Sequence, residues 1–176
     1  SKLLLQTPEG FESRYGVKVL VDTEALEIDR AGRRVRASGP EGESWIPYDS
    51  LVLAQGGTPV MPAVPGAARP HVFRLWTVPD MDRIHAHLDR AKPANAVIAG
   101  GGFIGLEMAE AFAARGVKTT VVELLPRVMA GMDPEFGGLV AARLEAHGVA
   151  VVTGTGVKAV HEREVELADG RGGPGA

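Results

Sequence analysis

The chain has 176 residues, of which 45% are hydrophobic and 23% are charged, and its formal net charge is -3 at pH 7. The negative charge argues against a nucleic-acid partner, and the absence of cysteine excludes disulfides, thiolate metal sites and a thiol redox centre on this chain. The longest apolar stretch, residues 96–106, is shorter than the ~20 residues that span a bilayer. Because no charged leader precedes an apolar core either, we expect a cytoplasmic protein without a membrane partner.

The first part of the chain predicts a helix, strands and a linker. The helix opens at Thr7-Pro8-Glu9, a capping residue followed by proline at the first helical position. A turn is expected at 31–32, and the apolar "YDSLVLAQGG" at 48–57 predicts a strand. "PAVPGAARP" at 62–70 contains three prolines and a glycine, which is typical of an interdomain linker.

A strand, a glycine turn, a helix and a second strand follow within about 30 residues. The first strand is Asn95–Ala99, an apolar run with β-branched residues. In the helix, Ile104, Met108 and Phe112 recur at helical spacing. The second strand is predicted over Val117–Val122. This order indicates a right-handed βαβ unit with a parallel sheet.

The glycine turn has the spacing of a dinucleotide-binding fingerprint. Gly100, Gly102 and Gly105 satisfy G-x-G-x-x-G: the first permits a tight turn, the second lets a pyrophosphate approach the backbone, and the third lets helix and strand pack closely. The pyrophosphate would accept hydrogen bonds from the free N–H groups of Phe103 and Ile104, at the positive end of the helix.

An acidic residue ends the second strand. Glu123 lies 18 residues after Gly105, where a carboxylate can accept hydrogen bonds from the adenosine ribose. Because this carboxylate would repel a 2′-phosphate, we predict NAD(H) rather than NADP(H). The alternative is that Glu123 only caps a solvent-exposed strand end. The candidate NAD-binding residues are Gly100, Gly101, Gly102, Phe103, Ile104, Gly105 and Glu123.

The chain also contains an internal repeat. Residues 15–28 and 147–160 align without gaps, pairing Gly16 with Gly148, and a helical pattern that begins with a capping residue and proline precedes each copy. Chance similarity is one explanation, and a duplicated dinucleotide-binding topology is the other. By the spacing in the second copy, the first copy's own glycine fingerprint would lie before Ser1. We therefore expect at least about 30 preceding residues, and the second copy stops short of its last strand, so both ends look cut.

These motifs resemble a known family. "YDSLVLAQGGTP" resembles the strand and loop that close the FAD domain of flavin-dependent pyridine nucleotide-disulfide oxidoreductases, and "VIAGGGFIGLEMAE" at 97–110 resembles their NAD fingerprint. "LLLQTPEGFESRYGVKV" and "VPDMDRI" resemble the coenzyme A-disulfide reductase branch, which includes NADH oxidases and persulfide reductases. The resemblance implies that NADH passes hydride to FAD, and that the flavin reduces a disulfide or persulfide through a cysteine. That cysteine is not on this chain.

The resemblance also implies roles for individual residues. Phe103 would be the aromatic gate over the flavin, and Glu107 would hold the nicotinamide carboxamide. The alternatives are that Phe103 is a core residue, and that the helix dipole alone favours a carboxylate in the first turn. For FAD in the longer protein, the implied contacts are Ala25, Ala54, Gln55 and Gly56. Gln55 departs from the family's usual threonine or proline, which leaves its contact in doubt.

No metal site is predicted, because His85 and His87 are two residues apart on a helix and point in different directions. We expect an α/β fold with a Rossmann-like NAD-binding domain, a parallel sheet with helices on both faces, over 78–176. Residues 1–77 would be the remnant of a second, FAD-binding α/β domain and a linker. Without its phosphate-binding helix, this part should not bind FAD.

Three functional interpretations remain open at this point. The first is a piece of an NADH-dependent disulfide reductase, inactive alone but able to bind NAD(H), from a homodimeric parent protein that acts on a coenzyme A-type disulfide or persulfide. The second is a stand-alone NAD-binding module without redox chemistry. The third is a ferredoxin reductase-type flavoprotein.

Overall fold

The structure, a computed structural model, describes residues 5–170 and 172–174, so the first residues of the "LLLQTPEGF" stretch lie outside the described part. The chain divides into two compact units, one up to Gly56 and one from Gly57 onward. Residues 57–77 therefore pack with the second unit. Their grouping with a flavin domain, and the domain bounds as a whole, stay predictions.

The first unit contains one helix and one antiparallel sheet. The helix begins as predicted, since the Thr7 Oγ1 accepts a hydrogen bond from the Gly10 N–H at 3.2 Å, and it ends at Gly16, whose φ is +66°. Among the described residues of this unit, Ala37 is the one buried apolar side chain. The elements are α1 (Pro8–Tyr15), β1 (Glu24–Asp29), β2 (Arg34–Gly39) and β3 (Gly42–Pro47), with the strands paired in the order β1-β2-β3.

The strand predicted over 48–57 is wrong. Residues 51–60 have no regular secondary structure, and Val52 and Leu53 are 83% and 67% exposed. A strand is stabilised by hydrogen bonds to a neighbouring strand, and the described residues offer this segment none. Its apolar sequence alone is therefore not sufficient to form the element.

The second unit contains the predicted parallel sheet. Its elements are α2 (Val78–Ala91), β4 (Asn95–Ala99), α3 (Phe103–Ala114), β5 (Lys118–Glu123), α4 (Pro134–Ala146), β6 (Ala150–Thr153), β7 (Val157–Val160), β8 (Glu164–Leu167) and β9 (Gly172–Pro174). The parallel sheet has the strand order β4-β5-β6. A second, antiparallel sheet has the order β7-β8-β9.

The two faces of the parallel sheet are covered differently. On one face, Ala109 of α3, Val121 of β5 and residues of α4 form a core with Val128 and Val149. On the other face, Val165 and Leu167 of β8 pack against Val122. The α/β class is confirmed, and helices cover one face in the described residues. The other face carries antiparallel strands instead of helices. In β8, buried apolar side chains alternate with polar ones, so one of its faces is apolar and can pack on the parallel sheet.

The predicted linker at 62–70 is bound to the second unit. The Val160 N–H donates to the Pro65 carbonyl at 2.8 Å, and the Arg69 Nε–H donates to the Val160 carbonyl at 3.0 Å. Gly66 has φ +84°, and a Cβ there would lie 1.9 Å from the Val160 carbonyl oxygen. The segment is thus anchored to β7 by close backbone contact that only glycine allows.

The start of α2 is fixed by a capping box. Thr77 is the N-cap, and the Asp80 carboxylate accepts hydrogen bonds from the backbone N–H groups of Thr77 and Trp76 at 2.9 and 3.1 Å. Asp80 is 3% exposed and also contacts Arg83. The hydrogen bond from the Thr77 N–H, more than any other contact, lowers the pKa of Asp80 below its ordinary 3.8.

The two copies of the repeat have comparable local structures. Gly16 ends α1 and Gly148 follows α4, and both have left-handed backbone, with φ of +66° and +80°. Each copy ends in the first strand, β1 or β7, of a three-stranded antiparallel sheet. Among the described helices, none is long and apolar enough to cross a membrane.

Candidate dinucleotide site

The glycine turn lies between the end of β4 and the start of α3. Gly100 has φ +112°, a conformation that side chains disfavour, and its N–H donates to the Val122 carbonyl at 2.8 Å. Gly102 is the N-cap of α3 and makes no side-chain capping bond, and no atom lies within 4 Å of where its Cβ would be. The N-terminus of α3 is therefore left without a side-chain cap at the positive end of the helix dipole.

Gly105 has the packing role expected of the third glycine. A Cβ there would lie 2.0 Å from the Gly100 carbonyl oxygen and 3.3 Å from the Ile98 Cγ2. The first turn of α3 thus rests directly on the glycine turn and on β4. This close packing fixes the direction of the helix start relative to the sheet.

Glu123 is held beside the glycine turn. Its Oε2 accepts a hydrogen bond from the Gly101 N–H at 2.6 Å, and its Oε1 accepts one from the Leu125 N–H at 2.8 Å. The side chain is half-buried. Glu123 is therefore not simply the cap of a solvent-exposed strand end. A carboxylate has about four acceptor positions, so two remain for ligand hydroxyls.

The loop after β5 supplies contacts that the sequence reasoning missed. The Met129 N–H donates to the Gly101 carbonyl at 2.8 Å, and Val128 is fully buried next to Gly101. Neither residue matches a motif. The only hint was the glycine at 101, a position where the fingerprint accepts any residue.

Phe103 and Glu107 lie one helical turn apart on α3. Phe103 is the first helical residue and is 70% exposed, so it is not a core residue. Glu107 is exposed and lies in the second turn, because α3 begins at Phe103. The alternative that Glu107 only complements the dipole of the first turn is therefore wrong. The roles of both residues stay predictions.

A cavity of about 690 Å³ opens from the glycine turn along β4. This volume is within the range of ligand pockets in proteins. Its wall is mostly apolar and comes from α2, β4, α3 and the 60–75 segment. The predicted helix face bearing Ile104, Met108 and Phe112 lines this cavity. In the described residues, one edge of β4 has no neighbouring strand.

Comparison with known proteins identifies the family. The model of the pyridine nucleotide-disulphide oxidoreductase family matches residues 3–173. The chain belongs to this family.

Individual proteins are similar over most of the chain. The NAD(P)H coenzyme A polysulfide/persulfide reductase of Pyrococcus horikoshii is 37% identical over 147 residues, which is 83% of this chain and 33% of that protein. Reduced CoADR-RHD of Bacillus anthracis superimposes with a TM-score of 0.84 at 35% identity, over 98% of this chain and 32% of that one. A ferredoxin reductase of Rhodopseudomonas palustris superimposes with a TM-score of 0.83 at 32% identity, over 98% of this chain and 43% of that one. The chain spans about a third of the length of the first two relatives.

Membership of this family implies FAD as well as a pyridine nucleotide, and the described first unit offers no helix N-terminus suited to the FAD pyrophosphate. Ala25 lies in β1 beside a register irregularity, and Ala54, Gln55 and Gly56 lie in the segment without regular structure. The N-terminus of α1 is capped by Thr7 and carries Glu9 in its first turn, so a pyrophosphate would meet a negative charge there. The FAD contacts implied by the resemblance stay predictions.

The histidines of α2 have structural partners. His85 contacts Asp89 and Arg115, which joins α2 to the end of α3, and His87 lies against the Phe73 ring at 5.0 Å between centroids. Burial lowers the pKa of His87, with a smaller effect of nearby Arg90. Within residues 5–170, no group of three or more acidic or histidine side chains is arranged to hold a metal ion.

Proposed function

We propose that this chain binds NAD(H) at the glycine turn between β4 and α3. The observation that carries the proposal is the 2.6 Å hydrogen bond from the Gly101 N–H to Glu123. It holds the two halves of a dinucleotide site together: an uncapped helix N-terminus for the pyrophosphate and a carboxylate for the ribose.

The preference for NAD(H) over NADP(H) rests on Glu123. Both of its oxygens are engaged by backbone N–H groups, so the carboxylate cannot easily swing away from an added 2′-phosphate. The adjoining Leu124 and Leu125 offer no positive charge to a phosphate and are 70% and 48% exposed. Repulsion between two negative charges therefore disfavours the phosphorylated cofactor.

For the longer protein, we propose an NADH-dependent oxidoreductase that uses FAD and reduces a disulfide or persulfide of the coenzyme A type. The similarity to a coenzyme A polysulfide/persulfide reductase and to CoADR-RHD supports this substrate class. Phe103, which lines the 690 Å³ cavity, and Glu107, one helical turn further on, would meet the nicotinamide side of the site. A homodimer in the cytoplasm is the proposed state of that protein.

A ferredoxin reductase is the second candidate, because a protein of that name superimposes about as well. The two candidates are separated by assaying the longer protein that contains this chain. Turnover of coenzyme A disulfide with NADH supports the first candidate. NADH-dependent reduction of a ferredoxin without turnover of the disulfide supports the second.

Calorimetric titration of this chain with NADH, NADPH and FAD tests the binding proposal. We expect NADH to bind more tightly than NADPH, and FAD not to bind. If NADH fails to bind, the site assignment is wrong. Tight binding of FAD would mean that the first unit fits the flavin after all.

The substitution Glu123→Ala tests the role of the carboxylate. It should weaken NADH binding by about 1.5 to 3 kcal/mol, the range for hydrogen bonds to a charged group, and reduce the preference over NADPH. Glu110→Ala is the matched control, because Glu110 is an exposed carboxylate on α3. Unchanged discrimination in Glu123→Ala would show that another residue reads the ribose.

A further inference from the structure

The middle glycine of the turn has a different environment from its neighbours. Around Gly100 and Gly102, no atom lies within 4 Å of the Cβ position, whereas Gly101 is buried. A Cβ at Gly101 would lie 2.7 Å from the Val128 Cγ1 and 3.2 Å from the Glu123 Cβ. Gly101 is thus the point at which the turn contacts the rest of the unit.

Gly101 is fixed on three sides. Its N–H donates to Glu123 at 2.6 Å, its carbonyl accepts from the Met129 N–H at 2.8 Å, and its Cα packs against Val128. Met129 has φ +51°, a conformation that non-glycine residues adopt where surrounding contacts impose it. Val128 is 0% exposed and belongs to the core that includes Ala109. The turn is therefore tied to the hydrophobic core through Val128.

We propose that Val128 is a positioning residue for the dinucleotide: it touches no ligand, but it seats Gly101 and so fixes the N–H groups that face the pyrophosphate. The proposal rests on the proposed NAD(H) function. Glycines have the largest backbone freedom, and a turn with three in succession has no side chain of its own to restrict it. Without the Val128 contact, binding would have to order the turn, which lowers affinity for ligands that reach it.

Size exchange between the two residues gives the test. Gly101→Ala inserts a methyl group into the space of Val128, and Val128→Ala vacates that space. In the double variant the 2.7 Å contact with the Val128 Cγ1 is absent, and only the two 3.2 Å contacts with the Cβ atoms of residues 123 and 128 remain. The backbone N–H and carbonyl of residue 101 are kept. Val149→Ala is the matched control: Val149 is 2% exposed in the same core, and it is not among the atoms nearest Gly101.

The measurements are thermal unfolding and calorimetric affinity for two ligands, ADP-ribose and AMP. ADP-ribose contains the pyrophosphate, and AMP has the adenosine ribose with a single phosphate. We expect Gly101→Ala to lower the affinity for ADP-ribose at least tenfold and the affinity for AMP less than threefold. The double variant should recover at least threefold in ADP-ribose affinity over Gly101→Ala. Val149→Ala should lower the unfolding temperature but keep the ratio of the two affinities within twofold.

Several outcomes would overturn the proposal. One is a double variant that binds ADP-ribose no better than Gly101→Ala does. Another is a Val149→Ala variant whose ratio of ADP-ribose to AMP affinity changes as much as that of the Val128→Ala variant. If Gly101→Ala does not fold, recovery of folding in the double variant supports the contact, and its absence contradicts it. Failure of the unsubstituted chain to bind either ligand would instead refute the NAD(H) function, so the two failures are distinguishable.

Discussion

The closest contact in the candidate site leads to a quantitative prediction for Gly105→Ala. The added Cβ would lie 2.0 Å from the Gly100 carbonyl oxygen, 1.0 Å less than the shortest separation that real Cβ atoms show. The obstructing atom is backbone and cannot rotate away, so α3 must move off the turn. Overpacking costs about 1 to 3 kcal/mol, and a contact with an immovable backbone atom belongs in the upper part of that range, about 2 to 3 kcal/mol. This exceeds the gain of about 1 kcal/mol from replacing a helical glycine by alanine.

Gly138→Ala in α4 provides the matched control. It is also a helical glycine, but no atom lies within 4 Å of its Cβ position, so only the propensity gain of about 1 kcal/mol applies. We therefore expect Gly105→Ala to lower the free energy of unfolding and Gly138→Ala to raise it. Urea unfolding measures both, with equal m-values as the check that the denatured states are comparable.

NADH titration gives the functional side of the same prediction. Gly105→Ala should weaken NADH binding because the start of α3 moves, and Gly138→Ala should leave the affinity unchanged. If the two substitutions change the free energy of unfolding in the same direction and by similar amounts, the close approach of α3 to the turn is not real. The reasoning about the third glycine would then be refuted.

Two further predictions concern stability. Asp80→Asn should lower the unfolding temperature at pH 7. Because the folded-state pKa of Asp80 lies below 3.8, the stability contributed by its carboxylate is present above about pH 4 and is lost as the pH falls further. The difference in unfolding temperature between the variant and the unsubstituted chain should therefore narrow between pH 7 and pH 3. A constant difference would contradict this. Gly66→Ala combines φ +84° with a Cβ 1.9 Å from a backbone oxygen, and should destabilise by about 2 to 4 kcal/mol in urea unfolding. Gly131→Ala, where no atom is near and no positive φ is required, should change the stability little.

The βαβ unit could be predicted because its determinants are local. An apolar β-branched run, a glycine turn and a helical period occur in sequence, and each favours one backbone conformation. β4 was predicted at its observed bounds, and β5 was predicted one residue early. The fingerprint glycines and Glu123 were brought together because strand ends in a parallel sheet lie at one edge.

The contacts of Val128, Met129 and the 62–70 segment could not be predicted. Each depends on a chain segment that folds back onto another from a distance in sequence, and neither residue type nor spacing encodes it. Proline and glycine in 62–70 predicted an interdomain linker, and the segment contains turn residues at 65–68. They did not indicate that Gly66 would rest against the Val160 carbonyl, because glycine is used equally for flexibility and for close approach.

The internal repeat separates what local sequence determines from what it does not. After Gly148, residues Ala150–Thr153 form β6, with Val151 paired to Val121 of β5. After Gly16, the aligned run 17–21 is equally apolar, yet it forms no strand, and its valines are between 38% and 55% exposed. The helix and the left-handed glycine occur in both copies because their hydrogen bonds are internal to the segment. The strand occurs in one copy because a strand's hydrogen bonds belong to its neighbour, and only β6 lies beside one in the described residues.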